Sequence, residues 1–518
     1  MSLPWHLFFD ELKKSSNSAN ANLISYRKTD SGCTIRRNTA ALSSVRLAAL
    51  MKRFLVIATL FAAIAAQVSA AAKPNVLVVI ADQWRAQAFG FAGDPNVKTP
   101  HLDRLAAQSC YFTHAVSGLP VCSPMRATML TGQRPLTHGI FINDVPLNPE
   151  AQSIGKVMQG AGYDTGFIGK WHVDGHGRSI WIPRERRQGF DYWKVLECTH
   201  SYNHSPFYAN DDPMKQVWKS YDAEAQTEDA SQFIRAHAGQ NKPFLLFLAW
   251  GPPHNPYATA PAKYQAMYDP ATLKLRNNVP STQEEEARKD LAGYYAHCSA
   301  LDDCMAQILA VLEETHQADN TILLFTADHG DMLYSQGLQR KQKPYDESIR
   351  IPMLVRWPAG LGAQGRKLDA LINSEDIMPT LLGLSGVSIP SSVEGFDFSN
   401  YLHGGEDPGH GVALIQCPSP FGEWDRRKGG REYRGIRTLR YTYVRDISGP
   451  WLLYDNDQDP FQLKNLVGDP AQADLQRELD ARLNEKLKTE HDTFQPGQTY
   501  LTQWKYQVDA NGTMRYEQ

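Results

Sequence analysis

The sequence lacks an excess of charge of either sign, and it is poor in cysteine. Its 53 Lys and Arg stand against 56 Asp and Glu, a net charge of −3, and seven Cys are spread over 518 residues. A protein devoted to nucleic acid usually carries a basic field, and a disulfide scaffold is dense in cysteine, so neither class fits. We therefore expect no nucleic-acid partner. Hydrophobic residues at 42% are typical of a large globular protein rather than a fibre or a disordered tail.

The chain also lacks an apolar run long enough to anchor it stably in a membrane. The apolar run at residues 54–66 is shorter than the ~20 residues that a spanning helix needs. It follows Met51-Lys52-Arg53 and precedes Val68-Ser69-Ala70, which is the pattern of a secretory signal peptide with a small-residue cleavage site. We therefore expect the export machinery to deliver the protein to the periplasm or the medium, without a stable membrane anchor.

On this interpretation residues 51–70 are the signal peptide, and residues 1–50 are an upstream extension before the true start at Met51. The remaining chain, residues 71–518, carries 44 Lys and Arg against 53 Asp and Glu, a net charge of −9. Its six cysteines lack metal-finger spacing, and export permits disulfides without the sequence specifying any. Local positive charge must therefore hold any anionic substrate.

Three apolar runs organise the body of the chain, at residues 76–81, 244–250 and 321–327. Each run is typical of a strand that is buried on both faces. Between the second and third runs, residues 290–314 have apolar positions at helical spacing. Strands that alternate with helices predict an α/β fold with a largely parallel sheet.

Polar side chains follow each of these three strands. Asp82 and Gln83 follow the first strand, His254 follows the second, and Asp328 and His329 follow the third. Ligands of open α/β sheets bind at the carboxyl ends of strands, so we expect these groups to meet at one edge. The first and third pairs offer mostly oxygen donors and no thiolate. Such donors suit Ca²⁺ or Mg²⁺ better than a structural zinc, and the single imidazole leaves Mn²⁺ open.

A short helix is predicted just after Cys122. Ser123 is a good N-cap, Pro124 fits the first turn, and Gly132 fits the stop. Arg126 is four residues from Cys122 and can face the same way. An anion at the helix entrance would meet free backbone N–H groups, the positive end of the helix dipole and a guanidinium. The pattern therefore predicts an anion site beside Cys122.

The order Cys-x-Pro-x-Arg followed by Leu130-Thr131-Gly132 resembles the signature of the type I, formylglycine-dependent sulfatases of the alkaline phosphatase superfamily. The resemblance extends from about residue 74 to about residue 490. Further matching segments, in chain order, are Asn75-Val76-Leu77 ahead of Asp82-Gln83, residues 99–105, Gly162-Tyr163-Asp164-Thr165, Gly169-Lys170-Trp171-His172, Pro253-His254, Asp328-His329-Gly330, and Lys341 ahead of residues 344–352. No single segment is specific, but their order is.

The resemblance implies a fold, a nucleophile and a set of site residues. The fold is a large, mostly parallel or mixed sheet sandwiched by helices, with a smaller C-terminal antiparallel sheet and helix. A formylglycine-generating enzyme would oxidise Cys122 to formylglycine, whose hydrated gem-diol is the nucleophile. The implied metal ligands are Asp82, Gln83, Cys122, Asp328 and His329, and the implied catalytic residues are Cys122, Arg126, Lys170, His172, His254 and Lys341.

The resemblance also assigns roles. Asp328 is the implied base, and Arg126 with Lys170 would hold the gem-diol and spread the sulfate charge. His172 would take the proton that drives collapse of the hemisulfate. The remaining pair, His254 and Lys341, would face the bridging oxygen, where an acid must protonate the departing alkoxide. Because Lys170 and His172 are two residues apart, they are expected on one face of an extended segment.

Two positions depart from the family pattern. Many members carry Asp-Asp where this chain has Asp82-Gln83, and many carry Asn where it has His329. The ligand set therefore holds less negative charge, which leaves the identity of the cation more open. Met125 replaces a common Ser at a position that varies in the family, and we expect maturation of Cys122 to survive the change.

The C-terminal part changes character from about residue 412. Residues 435–445 and 451–454 alternate like antiparallel strands, and a helix is predicted from about residue 469 to about residue 488. We therefore expect a catalytic domain at residues 71–411 and a C-terminal subdomain at residues 412–518.

Two arginine-rich stretches are candidates for binding a sulfated glycan. Arg184, Arg186 and Arg187 precede a region rich in Trp, Tyr and His, and Arg434 lies in the basic stretch at residues 425–437. Aromatic rings beside positive charge suit a sulfated sugar, because the sugar offers C–H faces and anions. The alternative is a solvated charged face.

The sequence thus predicts a hydrolase of sulfate esters, acting on a sulfated small molecule or, more specifically, a sulfated carbohydrate. Two alternatives stay open. Phosphonate monoester or phosphodiester hydrolases of the same superfamily resemble the chain at Asp-Gln-Trp-Arg, residues 82–85, but characteristically lack the Gly-Lys-Trp-His segment. An inactive binding relative would require Cys122 to stay unmodified.

Overall fold

The structure is a computed structural model that describes residues 73–515. The predictions for residues 1–50 and 51–70 lie outside the described residues. The strands are β1 Asn75–Asp82, β2 Cys110–Val116, β3 Asp164–Lys170, β4 Tyr192–Leu196, β5 Pro206–Ala209, β6 Gln216–Val217, β7 Phe244–Pro253, β8 Thr321–Ala327, β9 Met353–Arg356, β10 Arg366–Asn373, β11 Val412–Cys417, β12 Tyr433–Thr438, β13 Tyr441–Asp446 and β14 Gly449–Asp455.

Helices connect and cover these strands. The α-helices of the described chain are α1 Pro100–Ala106, α2 Cys122–Thr131, α3 Pro135–His138, α4 Ile154–Gly160, α5 Asp222–Ala236, α6 Ala262–Gln265, α7 Glu284–Glu314, α8 Asp346–Ile349, α9 Pro358–Leu361, α10 Ile377–Leu384, α11 Ser399–Leu402, α12 Ala473–Thr489 and α13 Gly497–Gln503. The helical pattern at residues 290–314 lies within α7, which begins six residues earlier at Glu284.

The three predicted apolar strands form the centre of a ten-stranded mixed sheet. Its order is β10-β2-β9-β8-β1-β7-β3-β4-β5-β6, and β1 pairs in parallel with both β7 and β8. All ten residues of β7 are buried, as are all seven of β8. The α/β prediction with a large mixed sheet is confirmed, and the parallel central pairs bring three carboxyl ends to one edge.

A second, antiparallel sheet contains β11, β12, β13 and β14 in sequence order. It begins at Val412, the residue at which the sequence changes character, and Leu479 and Leu483 of α12 pack in a cluster with Leu414 of this sheet. The smaller antiparallel sheet with its helix is as expected for the fold class. The described residues nevertheless form one compact unit, so the division at residue 412 stays a prediction.

Two further features of the described chain bear on the sequence predictions. No helix within residues 73–515 has the length and apolar character of a membrane span. The six cysteines in the same range are all free and buried. Export permitted disulfides without specifying any, and none of these six thiols is bonded to another.

Candidate active site

The site lies where β1, β3 and β8 end. Asp82 is the last residue of β1, Lys170 is the last residue of β3, and Asp328 directly follows β8. His254 directly follows β7, so a fourth strand also contributes. Because these strands are parallel neighbours, their carboxyl ends deliver side chains to one place, as the sequence predicts.

A glycine shapes the approach to Lys170. Gly169 has a φ of +102°, and a Cβ built on it would meet the carbonyl oxygen of Ala249 at 2.1 Å. A larger residue would therefore push β3 away from β7. The strand ends at Lys170, and His172 has a positive φ of 62°, so the expected extended segment from Lys170 to His172 is wrong. The chain turns between them, and both side chains are nevertheless buried.

Cys122 is the first residue of the buried helix α2. The N-cap is Val121, not Ser123 as predicted, because the first turn is capped from outside: the backbone N–H of Ser123 donates to Asn143 Oδ1 at 3.1 Å. The predicted stop is correct, since Gly132 adopts the left-handed conformation with a φ of +63°. The helix thus places Cys122 at its N-terminal end, facing the ends of the strands.

Four potential ligands meet at this point. One atom each from Asp82, Cys122, Asp328 and His329 lies within 4.8 Å of the others, and all four residues are buried. Cys122 Sγ is 3.2 Å from His329 Nε2 and 3.8 Å from Asp82 Oδ1. Two carboxylates and an imidazole at this separation have the composition and spacing of a site for a hard divalent cation.

Gln83, the fifth predicted ligand, is also buried but is bonded elsewhere. Its Oε1 accepts a hydrogen bond from Lys341 Nζ at 2.9 Å, and its Nε2 donates to Asp331 Oδ2 at 2.7 Å. Its backbone N–H donates to Asp328 Oδ1 at 3.0 Å. The structure therefore places Gln83 beside the four-residue cluster, with the side-chain oxygen held against Lys341.

Buried cations surround the cluster. Arg126 Nε donates to Asp328 Oδ2 at 3.1 Å, and its Nη2 lies 3.3 Å from Asp82 Oδ2. Lys170 Nζ contacts the same oxygen of Asp82 and lies 3.7 Å from Cys122 Sγ. Against burial and the charge of Asp82, the cations Lys170, Lys341 and His329 hold the pKa of the Cys122 thiol well below its usual range.

The carboxyl of Asp82 is strongly biased toward its charged form. Burial alone would raise its pKa, but Lys170 and Arg126 hold the pKa of Asp82 well below its usual value. In contrast, burial and the neighbouring charge of Asp82 raise the pKa of Asp328. Asp82 is therefore the better anchor for a cation, and Asp328 is the carboxyl with more tendency to hold a proton.

His254 and Lys341 form a second catalytic candidate pair. Lys341 Nζ donates to His254 Nε2 at 2.7 Å, and the opposite nitrogen of the ring, Nδ1, donates to the carbonyl of Asn255 at 2.8 Å. Burial and the charge of Lys341 hold the pKa of His254 well below its usual value. The imidazole is therefore neutral, and the proton of this pair sits on Lys341.

His172 is positioned by two residues that sequence reasoning missed. Its Nε2 donates to Asp144 Oδ1 at 3.2 Å, and Arg178 Nη2 donates to Asp144 Oδ2 at 2.7 Å. Asp144 is buried and has a positive φ of 65°. No pattern in the sequence marks Asp144, because it lies in an irregular stretch and its partners come from a later loop.

Cys198 and His200 were also missed. The Cys198 thiol is buried, and despite that burial the charges of His172 and Lys170 lower its pKa to about 6. The ring of His200 is exposed and stacks on the ring of His254, with centroids 4.5 Å apart. This segment, just after β4, therefore forms one side of the site. The aromatic and histidine content of the region was the only signal that could have indicated it.

The four predicted substrate-binding arginines are paired with acids of the protein. Arg186 Nε contacts Asp174 Oδ1 at 2.7 Å, and Arg184 contacts Asp191 and Asp211. The remaining two are buried: Arg187 lies 3.0 Å from Asp211, and Arg434 contacts Asp492 and Tyr500. Their role in binding a glycan stays a prediction, and only Arg184 and Arg186 expose part of the side chain.

The chain is similar to known sulfatases over most of its length. The family model described as Sulfatase matches residues 74–387, and the model described as N-sulphoglucosamine sulphohydrolase, C-terminal, matches residues 335–489. An ulvan-active sulfatase of Formosa agariphila is 43% identical over 444 residues, covering 85% of this chain and 86% of its own length. An endo-4-O-sulfatase of Bacteroides thetaiotaomicron is 31% identical, covering 80% and 92%.

A solved structure has the same architecture. A Bacteroides thetaiotaomicron protein, described in connection with the metabolism of multiple glycosaminoglycans, has a TM-score of 0.75 and 29% identity. The match covers 83% of this chain and 99% of that one. The similarity therefore extends over nearly the whole described chain, including both sheets.

Proposed function

The chain belongs to the sulfatase family and is a sulfuric ester hydrolase, and from that premise we propose that it removes sulfate from a sulfated carbohydrate through a nucleophile made from Cys122. One observation carries the proposal. The Cys122 sulfur lies at the N-terminal end of α2, within 4 Å of Lys170, His329 and Asp82. The reacting group at position 122 would thus meet both the cation ligands and the ammonium of Lys170.

The residues present fit a divalent cation, and we propose Ca²⁺, with Mg²⁺ or Mn²⁺ as alternatives. Asp82, Asp328, His329 and the group at position 122 would hold it, with Gln83 beside them. A bound divalent cation supplies positive charge next to the sulfate oxygens. Oxygen donors and the depressed pKa of Asp82 favour a hard ion at this position.

The residues around position 122 also fit formylglycine, because both donors and acceptors surround the sulfur. Formylglycine would supply a geminal diol as the nucleophile toward sulfur, and an unmodified thiol could not replace it because its adduct with sulfur would be stable. Lys170 and Arg126 would stabilise negative charge on the sulfate, while Asp328 would accept the proton of the attacking hydroxyl. His172, oriented by Asp144, would accept the proton that releases sulfate in its neutral form, and against burial the neighbouring Cys198 and Asp144 raise its pKa to about 10.

Lys341 and His254 would act on the leaving group. The ammonium of Lys341 is the protonated member of the pair, and its partner His254 is neutral. An alkoxide that departs from a sulfate ester needs a proton, and Lys341 can donate one. His254 would then hold the lysine in place through its Nε2.

The carbohydrate part of the proposal rests on the relatives and on the partly exposed arginines. One relative is named an ulvan-active sulfatase, and another is named an endo-4-O-sulfatase. Of the four predicted glycan contacts, Arg184, Arg186, Arg187 and Arg434, only the first two expose part of the side chain, and we propose Arg186 as the one that contacts the glycan. The proposal also includes export, maturation by a formylglycine-generating enzyme, and the division into residues 71–411 and 412–518.

Mass spectrometry of the peptide that contains Cys122 tests the nucleophile. The protein is produced with a formylglycine-generating enzyme, and we expect the mass change that replaces CH₂SH by CHO. Cys122→Ala should abolish turnover of an aryl sulfate, whereas the buried Cys417→Ala, in the second sheet, should retain it. Full activity of the Cys122→Ala variant would contradict the proposal.

Substrate class is tested on the same preparation. We expect a higher kcat/KM for an aryl sulfate than for an aryl phosphonate, and loss of turnover on treatment with EDTA that added Ca²⁺ reverses. A preference for the phosphonate would favour the phosphonate monoester or phosphodiester hydrolase alternative. No turnover of either ester by matured protein would favour the inactive binding relative.

A further inference from the structure

Gln83 is an unusual group to find beside a proposed cation site, because its amide has two ends of nearly equal size and opposite character. The Oε1 end can face a cation, whereas the Nε2 end repels it. Gln83 is fully buried, so solvent does not select between the two orientations. Something in the protein must therefore hold the amide the right way round.

Asp331 contacts one end of this amide. Gln83 Nε2 donates to Asp331 Oδ2 at 2.7 Å, and Asn255 Oδ1 lies 3.5 Å from the same nitrogen. Both of these neighbours are acceptors. At the other end of the amide, the neighbour of Oε1 is Lys341 Nζ, a donor, at 2.9 Å. A flipped amide would set its N–H groups against an ammonium and its oxygen against a carboxylate.

The carboxylate of Asp331 is itself fixed by further donors. Its Oδ1 accepts from the backbone N–H groups of Leu333 and Arg340, each at 3.0 Å, and its Oδ2 also accepts from the hydroxyl of Tyr257. Every one of these partners donates, so Asp331 can act only as an acceptor. It therefore accepts only the NH₂ end of Gln83.

The backbone of Gln83 is equally constrained. Its N–H donates to Asp328 Oδ1 at 3.0 Å, its carbonyl accepts from the Tyr294 hydroxyl at 2.9 Å, and its φ is +69°. A positive φ in a residue that is not glycine is held only where surrounding contacts require it. The side chain thus starts from a fixed position, and the orientation of the amide is the remaining freedom.

We propose that Asp331 is a positioning residue that holds the Gln83 oxygen on the side of Lys341, so that the neutral amide can offer this oxygen to a cation bound beside Asp82 and Asp328. The inference rests on the proposed function, because Gln83 can be a ligand only if a cation binds at this site. Asp331 does not touch the cation or the substrate in this arrangement. It acts through Gln83.

The experiment exchanges the two groups. Gln83→Glu together with Asp331→Asn keeps the size of both side chains and swaps their chemistry, because the amide introduced at position 331 can donate to the carboxylate introduced at position 83. The Asp331→Asn single variant instead removes one of the two contacts that fix the Gln83 amide and leaves only Lys341 to orient it. The Gln83→Glu single variant sets two carboxylates against each other at 2.7 Å. Tyr257→Phe is the matched control, because it removes a different donor from the same oxygen.

The measurement is Ca²⁺ affinity of the EDTA-stripped full chain by isothermal titration calorimetry, with thermal unfolding in EDTA recorded for each variant. We expect Asp331→Asn to weaken Ca²⁺ binding at least tenfold, and the double variant to recover affinity to within threefold of the starting protein. Tyr257→Phe should change affinity less than threefold. Both readouts are independent of turnover.

If the role of Asp331 is purely structural, the Ca²⁺ affinities of the variants will differ from those given above. If it serves only to hold the loop at Leu333 and Arg340, then Gln83→Glu cannot repair the loss, and the double variant binds no better than Asp331→Asn. That outcome overturns the inference, as does an Asp331→Asn protein that is unfolded in EDTA and is not rescued by the second change. If the starting protein itself binds no Ca²⁺, Mg²⁺ or Mn²⁺, the cation assignment of the proposed function fails first, and this inference fails with it.

Discussion

Positive charge is used in two different ways in this molecule. In the site, Arg126, Lys170 and Lys341 are buried, and the first two share a partner, since both contact Asp82. In the arginine segment, residues 184–187, each arginine has an acid close by: Arg186 contacts Asp174, while Arg184 and Arg187 contact Asp211. In the site three buried cations lie beside two carboxylates, Asp82 and Asp328, which leaves positive charge available for a ligand. The three arginines of the segment have three acids beside them, Asp174, Asp191 and Asp211, which largely neutralise their charge.

The difference shows where an anion can be bound. Within the site, three cations face the carboxylates of Asp82 and Asp328, and a divalent cation would add further positive charge. Water is excluded there, so each interaction is stronger than at the surface. Exposed ion pairs such as Arg184 with Asp191 contribute about 0–1 kcal/mol. The sulfate is therefore expected in the buried site, with the arginine segment affecting only the remainder of the substrate.

The largest expected effect comes from removing a shared cation. Lys170→Ala should lower kcat/KM for an aryl sulfate by at least ~10³-fold, because a buried donor aimed at developing charge supplies several kcal/mol to the transition state. Steady-state kinetics on matured protein measure the loss. Lys194→Ala on the neighbouring strand is the matched control, since Lys194 pairs one-to-one with Asp229. A loss below tenfold for Lys170→Ala would remove the distinction between shared and paired cations.

Arg434 is buried like the cations of the site, but it is paired with a single acid, Asp492. Arg434→Ala should lower the free energy of unfolding by ~3 kcal/mol, since Asp492 would keep a buried charge without its partner. Chemical denaturation measures the change, and Arg434→Ala with Asp492→Asn should recover part of it. Activity per folded molecule should persist. A large rise in KM with unchanged stability would instead place Arg434 in contact with substrate.

The sequence predicts the positions of the site residues better than it predicts the partners of the four candidate glycan-binding arginines. Asp82, Lys170 and Asp328 stand at strand ends, and the topology of a parallel sheet brings strand ends together whatever the rest of the chain does. The position of Arg434 depends on Asp492, which is 58 residues away in the loop that follows α12. Pairings of that kind follow from packing between loops and helices, which no local spacing encodes.

The same reason explains the smaller misses. Ser123 has the chemistry of an N-cap, but the Asn143 side chain, twenty residues later, takes over the capping of that turn. The extended path expected between Lys170 and His172 is interrupted by a positive φ at His172. Asp144 orients His172 from an irregular stretch. Each of these depends on a tertiary contact that overrides a local preference.

The carboxyl of Asp222 forms no ion pair with a cation within residues 73–515, although it lies in a small cavity that Lys170 also lines. Burial raises its pKa to about 7, against hydrogen bonds from Ser205 and Ala223. Because the pKa is raised in the folded protein, its contribution to stability is present below about pH 4 and is lost as the pH rises through 7. Asp222→Asn should therefore raise the free energy of unfolding by ~2 kcal/mol at pH 8 and flatten its decline between pH 4 and pH 8.

Denaturation of both proteins across this pH range measures the difference. Asp229→Asn on the same helix is the control, because Asp229 is paired with Lys194 and Tyr192. If the free energy of unfolding of Asp222→Asn depends on pH just as that of the starting protein does, then the buried Asp222 carboxyl does not have a raised pKa.

The smallest expected effect tests whether a paired arginine can still contact substrate. Arg186 is the best candidate, because its side chain is 24% exposed and its partner Asp174 lies in the loop that follows His172. A neighbouring sulfate or carboxylate of a glycan could share the guanidinium with Asp174. Arg186→Ala should raise KM for a sulfated oligosaccharide about fivefold, or ~1 kcal/mol, and make it less dependent on salt. KM for an aryl sulfate should stay within twofold, because that ester reaches only the buried site. Arg184→Ala is the control: it removes a more exposed ion pair and should change neither KM for the oligosaccharide nor KM for the aryl sulfate. If Arg186→Ala loses activity equally on both substrates, the arginine segment supports the fold rather than glycan binding.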